Sequence, residues 1–342
     1  MNKGNNTNQT VEKIIIKNLT IEYKTKLGVI TAVENISFEV AEGDSIGIVG
    51  ESGSGKSTLA LALIKSLPEN GSVRSGNVMI KDQDILNMKD KTFDEIFRWK
   101  EISMIFQGSM NSLDPVFSIE KQMKEILKVH KIKNGNGRGK YDLIIKKSLT
   151  AVGLDPQVVS KRYQHELSGG MKQRIVIANS LLLEPSILIA DEPTTALDVI
   201  TQSQIIALLK NMKNTKKMKI ILITHDLTLI PNVVDKVIIM YAGQAVEISD
   251  INTILNKPLH PYTQALIKSI PNIKSTTKKT IQFITGESPN LLNIKQGCRF
   301  KDRCPQALDI CENNNPPDIT IEGNQVKCWL YYNENDNGEK LT

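Results

Sequence analysis

The chain has 342 residues with a formal net charge of +6, and its 40% hydrophobic and 23% charged residues are the proportions of a globular protein rather than a fibrous or low-complexity one. That length exceeds one ordinary hydrophobic core, so a large domain plus an appended unit is expected. No apolar run reaches the roughly 18 residues needed to cross a bilayer, and with aromatics at 5% and lysines spread along the chain, nucleic acid is not expected as a partner.

Residues 1–13 are polar, with Asn2, Asn5, Asn6, Asn8 and Gln9, and lack the apolar stretch of a secretion signal. They predict a disordered tail on a chain that stays in the cytosol. From 14 to 40, short β-type runs (Ile14 to Ile16, Ile21 to Tyr23, Ile30 to Val33, Ile36 to Val40) alternate with polar turns and predict an antiparallel sheet. The apolar strand Ser45 to Val49 then leads into Gly50-Glu51-Ser52-Gly53-Ser54-Gly55-Lys56-Ser57-Thr58, which is followed by the helix-forming Leu59 to Ile64. Strand, glycine-rich loop and helix make a phosphate grip: the glycines let backbone N–H groups converge on an anion, Lys56 adds a point charge at the β and γ phosphates, and Ser57 offers a hydroxyl to Mg²⁺. A helical subdomain is predicted over about 90–165, from Thr92 to Lys100, Ser118 to Lys131 and Tyr141 to Ala151. Apolar strands return at Ser186 to Ala190, Lys219 to Ile223 and Val237 to Met240, with helices predicted at Ile200 to Met212 and Leu227 to Val234, which implies a parallel core sheet. After Pro258 the composition changes: prolines multiply, and all four cysteines lie in this extension, 258–342.

The strand Ile187-Leu188-Ile189-Ala190 ends in Asp191-Glu192. In a doubly wound sheet ligands sit beyond the carboxyl ends of the strands, so Asp191 is placed to hold Mg²⁺ through water and Glu192 to polarise a water attacking the γ phosphate. The run Leu167-Ser168-Gly169-Gly170-Met171 puts a serine and two glycines at a helix start, a second constellation suited to an anion. Alone that run is weak; some 20 residues before Asp191 it carries weight.

In this order, across roughly residues 14–257, the motifs resemble the ATP-binding cassette superfamily. The resemblance implies an α/β ATPase fold with a P-loop parallel core sheet, an antiparallel β subdomain and a helical subdomain. It implies that Ser168, Gly169 and Gly170 complete the ATP site of a partner subunit in trans, with Asp198 coupling the two sites and Arg162 and His165 flanking the partner's nucleotide. It also implies that Tyr23 stacks on adenine, that Gln107 reaches Mg²⁺ and water, and that His225 holds the γ phosphate. Lys56, Gln107, Glu192 and His225 are then the catalytic group, Ser57, Gln107 and Asp191 the Mg²⁺ set, and Gly50, Ser52, Gly53, Ser54, Gly55 and Thr58 the remaining ATP contacts.

The extension sharpens the resemblance. Leu259-His260-Pro261-Tyr262-Thr263-Gln264-Ala265-Leu266 and Gly297-Cys298-Arg299-Phe300-Lys301-Asp302-Arg303-Cys304-Pro305 are similar to the oligopeptide, dipeptide and nickel importer ATPases. That subfamily implies a peripheral subunit at the cytoplasmic face of the cell membrane, paired with a second, homologous F-type ATPase and docked on two permease subunits fed by an extracytoplasmic binding protein. Asn111-Ser112-Leu113-Asp114-Pro115 is similar to its membrane-subunit contact, while Gly108-Ser109 and Gln164 depart from its pattern. A nickel or other small-solute importer remains an alternative, and a soluble cassette ATPase acting on nucleic acid or ribosomes would share the core motifs but not the tail. The thiols of Cys298, Cys304, Cys311 and Cys328 suit an iron–sulfur cluster, Zn²⁺ or no ligand, and the resemblance favours a [4Fe–4S] cluster.

Overall fold

The computed structural model describes residues 13–41, 43–132, 139–270 and 284–332; nearly all of the polar tail, residues 1–12, lies outside them. The first strands, β1 (Ile14–Thr25) and β2 (Gly28–Val40), absorb the four short runs expected there. The break at Lys26-Leu27 is the turn that joins them, whereas the other two become bulges: the register shifts around Asn18 and Asn35, which take φ of 50° and 48°, a left-handed conformation that asparagine tolerates better than most residues. Then come β3 (Ile46–Val49), α1 (Lys56–Leu63), β4 (Gly71–Ile80) and the short β5 (Gln83–Asp84). Strands β2, β1, β4 and β5 form an antiparallel sheet in that order.

The segment expected as a helical subdomain is interrupted. After α2 (Asp90–Ile96) the chain runs through β6 (Ile102–Ile105), an edge strand of the large sheet, before α3 (Ile119–Val129), α4 (Lys140–Ala151), α5 (Pro156–Val159) and α6 (Gly169–Ser180). On α3, Ile119, Met123 and Leu127 are buried at four-residue spacing, the single stripe of a helix packed on one side. The rest of the core follows as β7 (Ile187–Asp191), α7 (Val199–Lys216), β8 (Lys219–Thr224), β9 (Lys236–Tyr241) and β10 (Gln244–Asp250). The helix expected over Leu227 to Val234 shortens to one 3₁₀ turn at Ile230–Asn232, because Pro231 lacks an N–H and disfavours helical geometry in the residue before it.

Helix α8 (Ile251–Asn256) closes the cassette and α9 (Pro261–Lys268) opens the extension, whose strands β11 (Asp318–Ile321) and β12 (Asn324–Lys327) are not a detached unit. They continue the large sheet, whose order is β11-β12-β10-β9-β3-β8-β7-β6. Its five strands β9, β3, β8, β7 and β6 are parallel, as the βα alternation predicts. Successive side chains of a strand point to opposite faces, and here each face has its own core. Ile187, Ile189, Ile221 and Ile223 pack with α1 and the antiparallel sheet, while Leu188, Ala190, Ile220 and Leu222 pack with α3, α4, α6 and α7. All of the parallel strands therefore end at one edge, below the loops that carry Gly50, Asp191 and His225.

Leu222 is 1% exposed and Leu143 is 67% exposed. Leu222→Ala is expected to cost about 2–5 kcal/mol in urea unfolding, against a change within about 0.5 kcal/mol for Leu143→Ala.

Candidate active site

The loop between β3 and α1 is held by close backbone contacts. A Cβ on Gly50 would lie 2.1 Å from the Met240 carbonyl oxygen, and one on Gly55, at φ +98°, 2.2 Å from that of Ala32. Only glycine fits either position. Lys56, 6% exposed, turns its ammonium back into the loop, donating to the carbonyls of Gly50 (2.9 Å) and Glu51 (2.7 Å) and reaching the Ser54 hydroxyl (3.4 Å). Burial lowers its pKa, opposed by the nearby charges of Glu192, Asp191 and Glu51.

Asp191, the last residue of β7, is 3% exposed, and its Oδ1 has no hydrogen-bond partner among the described residues. Burial, foremost, and the neighbouring Glu192 push its carboxyl upward, while the Ser57 hydroxyl and the Lys56 ammonium pull the other way. A buried carboxylate oxygen without a partner, beside a hydroxyl, is a site that a hydrated divalent cation satisfies, so Ser57 and Asp191 fit Mg²⁺.

Glu192 sits one residue beyond the strand at φ 46°, a strained backbone that turns its carboxylate across the strand ends. Its Oε2 accepts from Gln107 Nε2 (3.0 Å) and Thr195 Oγ1 (2.9 Å), and its Oε1 lies 3.1 Å from His225 Nδ1. Burial alone would raise its pKa; the hydrogen bonds with His225 and Thr195 and the charges of His225 and Lys56 outweigh that and hold it low. Gln107 follows β6 and His225 follows β8, so three of the expected catalytic residues meet although 85 and 33 positions separate them from Glu192. Tyr23 lies beside the loop helix, its hydroxyl donating to Thr58 Oγ1 (3.2 Å).

The residues expected to act in trans form a second group. Ser168 caps α6 by accepting from the Met171 N–H (3.3 Å), and Asp198 caps α7 by accepting from the Thr201 N–H (2.9 Å) and hydroxyl (2.6 Å). Gly169 and Gly170 form the first turn of α6, Arg162 donates to the Glu166 carbonyl (3.4 Å), and the His165 ring stacks on Tyr163. Ser168, Gly169, Asp198 and His165 are exposed, and none of the hydrogen bonds of this group among the described residues reaches the phosphate loop.

Three contacts have no sequence signal. Thr195 supports the Glu192 carboxylate. Gln173, buried on α6, donates to the Pro193 carbonyl (2.6 Å) and joins the helix that Ser168 caps to the turn that carries Glu192. Gln164 donates to the Met110 carbonyl (3.3 Å), so one departure from the subfamily pattern joins the segment before Ser168 to the segment after Gln107.

The cysteine expectation is not supported. Cys298, Cys304, Cys311 and Cys328 are free thiols in one neighbourhood, and burial pushes Cys298 and Cys328 up to about 11 and raises Cys304, with the other thiols adding to the effect. Metals take thiolates, and burial disfavours the thiolate at Cys298, Cys304 and Cys328. Among the described residues no three His, Cys, Asp or Glu side chains are grouped to hold a metal ion, so the four do not fit an iron–sulfur or zinc site as they stand.

Comparison with known proteins agrees with this geometry. Residues 33–195 match the ABC transporter family model and residues 246–311 that of the oligopeptide/dipeptide transporter C-terminal region. The chain is 41% identical over 321 residues, 93% of its length and 97% of the relative's, to the dipeptide transport ATP-binding protein DppD of Caldanaerobacter subterraneus subsp. tengcongensis. It is 39% identical over 92% of both chains to the oligopeptide transport ATP-binding protein OppD of Escherichia coli (strain K12). Among solved structures, the dimeric form of MJ0796, a bacterial ABC transporter cassette, superposes with a TM-score of 0.62 at 26% identity, covering 70% of this chain and 98% of that one. By that identity and coverage the chain belongs to the ABC transporter family of ATP-binding proteins, in its oligopeptide/dipeptide branch.

Proposed function

We propose that this chain is the ATP-hydrolysing subunit of an importer of oligopeptides or dipeptides. The observation that carries the reading is the meeting of Glu192 with Gln107 and His225 at the same sheet edge as Lys56 and the unpartnered Asp191 oxygen. In this account residues 14–257 are the cassette and 258–342 the extension. ATP phosphates enter the loop and replace the carbonyls of Gly50 and Glu51 as partners of Lys56, while Gly50, Ser52, Gly53, Ser54, Gly55 and Thr58 line the phosphates and Tyr23 stacks on adenine. Ser57, Asp191 and Gln107 hold Mg²⁺, which when bound neutralises phosphate charge. Glu192, kept ionised, takes a proton from the attacking water, and His225 steadies the γ phosphate.

Ser168 caps α6, yet it and Gly169 stay exposed at the start of that helix and make no hydrogen bond to the phosphate loop among the described residues. We assign Ser168, Gly169, Gly170 and Asp198, with Arg162 and His165 at the margin, to the nucleotide held by a second, homologous cassette. Val199 and Ile200, 76% and 72% exposed beside Asp198, support an interface there. A second apolar surface, Phe106, Val116 and Phe117, flanks Asn111 to Pro115 and supports docking on two membrane permease subunits. No described helix is long and apolar enough to cross a membrane, which accords with peripheral attachment at the cytoplasmic face; the peptide itself would meet the permeases and an external binding protein.

Glu192→Gln is expected to lower kcat for ATP by about 10²–10⁴-fold with ATP affinity retained, measured by phosphate release and equilibrium binding; unchanged turnover would sink the assignment. The pH profile follows from the two perturbed groups. Glu192 must be ionised and its pKa is lowered, so kcat/KM should persist down to below its ordinary 4.5. Lys56 must be protonated and its pKa is also lowered, so the alkaline fall should begin below its ordinary 10.5. A profile whose alkaline limb stays flat through the ordinary lysine range would contradict the role of Lys56.

A further inference from the structure

Glu51 lies inside the phosphate loop, yet its side chain and its N–H face away from the nucleotide site and are held by the C-terminal extension. Arg303 Nη1 donates to Glu51 Oε2 at 2.8 Å, and the Ser288 hydroxyl donates to the same oxygen. The Glu51 N–H donates to the Tyr262 hydroxyl at 3.1 Å. The Glu51 carbonyl is one of the two that occupy Lys56. Every polar group of one loop residue is thus engaged, and two of the three are engaged by residues more than 200 positions away.

Arg303 is itself fixed. Its side chain is 7% exposed, its Nε donates to the Thr285 carbonyl (3.0 Å), its Nη1 reaches the Tyr241 hydroxyl (3.2 Å), and its guanidinium stands 5.7 Å from the centre of the Tyr241 ring. Tyr241 ends β9, the strand beside β3, and packs with Tyr262 (4.7 Å between ring centres) and Phe300 (5.2 Å). A second arginine of the same segment, Arg299, bonds the Glu34 carboxylate and the Ala242 carbonyl. The extension therefore grips the strand and the loop expected to bind phosphate by a pair between a buried arginine and a half-buried carboxylate, a contact whose loss leaves a charge unpaired.

Resting on the ATP-site reading above, we propose that the extension positions the phosphate loop through Glu51, with Arg303 and Tyr262 as positioning residues for ATP binding. When phosphate draws Lys56 away from the Glu51 carbonyl, the loop keeps its shape because Arg303, Ser288 and Tyr262 still hold Glu51, so less ordering is left to the moment of binding. Neither residue touches the nucleotide. Changes within the cysteine-bearing segment, in which Arg303 immediately precedes Cys304, reach the ATP site by this route.

The test uses the purified full chain, with ATP affinity measured by calorimetry and melting temperature read in parallel. Arg303→Ala is expected to weaken ATP binding about tenfold, and Arg303→Lys, which keeps the charge, to recover most of that loss. Glu51→Gln and Tyr262→Phe are expected to weaken binding less, and Glu51→Gln combined with Arg303→Ala to be no worse than Arg303→Ala alone, because the two residues act as one contact. A merely structural arginine would lower the melting temperature without this affinity change or its rescue by lysine. ATP affinity within about twofold of the unmodified chain in both Arg303→Ala and Glu51→Gln overturns the proposal. If Arg303→Ala does not fold, Glu51→Gln, Tyr262→Phe and Arg303→Lys decide alone, and unaltered affinity in all three overturns it. An unmodified chain that fails to bind ATP overturns the ATP-site reading itself, and the proposal with it.

Discussion

The arrangement depends on a buried lysine whose partners are temporary. Lys56 cannot be solvated where it lies, so its ammonium is satisfied by the carbonyls of its own loop, an arrangement that a phosphate improves because a charged acceptor makes a stronger bond than a neutral one. Asp191 carries the complementary deficit, a buried oxygen without a donor. Lys56 and Asp191 thus fit one anion and one cation, the pair that MgATP would supply. The glycines at 50 and 55 let the loop press against the backbone of Met240 and Ala32, and Lys56 beside it is 6% exposed.

The parallel sheet gathers the other candidate site residues beside that lysine. Because β3, β6, β7 and β8 run the same way, residues just past their ends arrive at one edge: Gly50, Gln107, Glu192 and His225. Glu192 accepts from Gln107 and Thr195 and lies against His225, contacts that hold its carboxylate in place, and those with His225 and Thr195 favour its ionised form. Gln173 links the helix capped by Ser168 to the turn at Pro193, so the helix start that bears Ser168 and the turn that bears Glu192 are joined by a direct contact.

Much of this was legible in the sequence because it is local. The phosphate loop needs glycines at fixed offsets between a strand and a helix; Asp191-Glu192 ends an unmistakable apolar strand; His225 follows another. What stayed hidden depends on long-range packing. β6 was lost within a charged helical stretch because four residues of strand give little periodic signal, and the helix expected at 227–234 failed because Pro231 decides the local geometry. The extension read as separate because its prolines and polar residues promised no core, yet β12 borrows one by pairing with β10 and β11 follows by pairing with β12. The grip of Arg303 on Glu51 spans 252 positions, and no spacing rule links an arginine near a cysteine to a glutamate in a phosphate loop. The cysteines mark the opposite failure: clustering in sequence suggested a shared ligand, while burial raises the pKa of three of the thiols and no metal-holding group forms among the described residues.

The central claim is that ATP is shared between this chain's phosphate loop and a second cassette, and it is tested most directly by a structure of the assembled transporter carrying Glu192→Gln with ATP bound. The account predicts Ser168 Oγ and the N–H groups of Gly169 and Gly170 against the γ phosphate of the nucleotide in the other cassette's loop, with Lys56 swung from the Gly50 and Glu51 carbonyls onto phosphate. ATP bound with Ser168 still facing solvent, or Lys56 still held by the loop carbonyls, would contradict it.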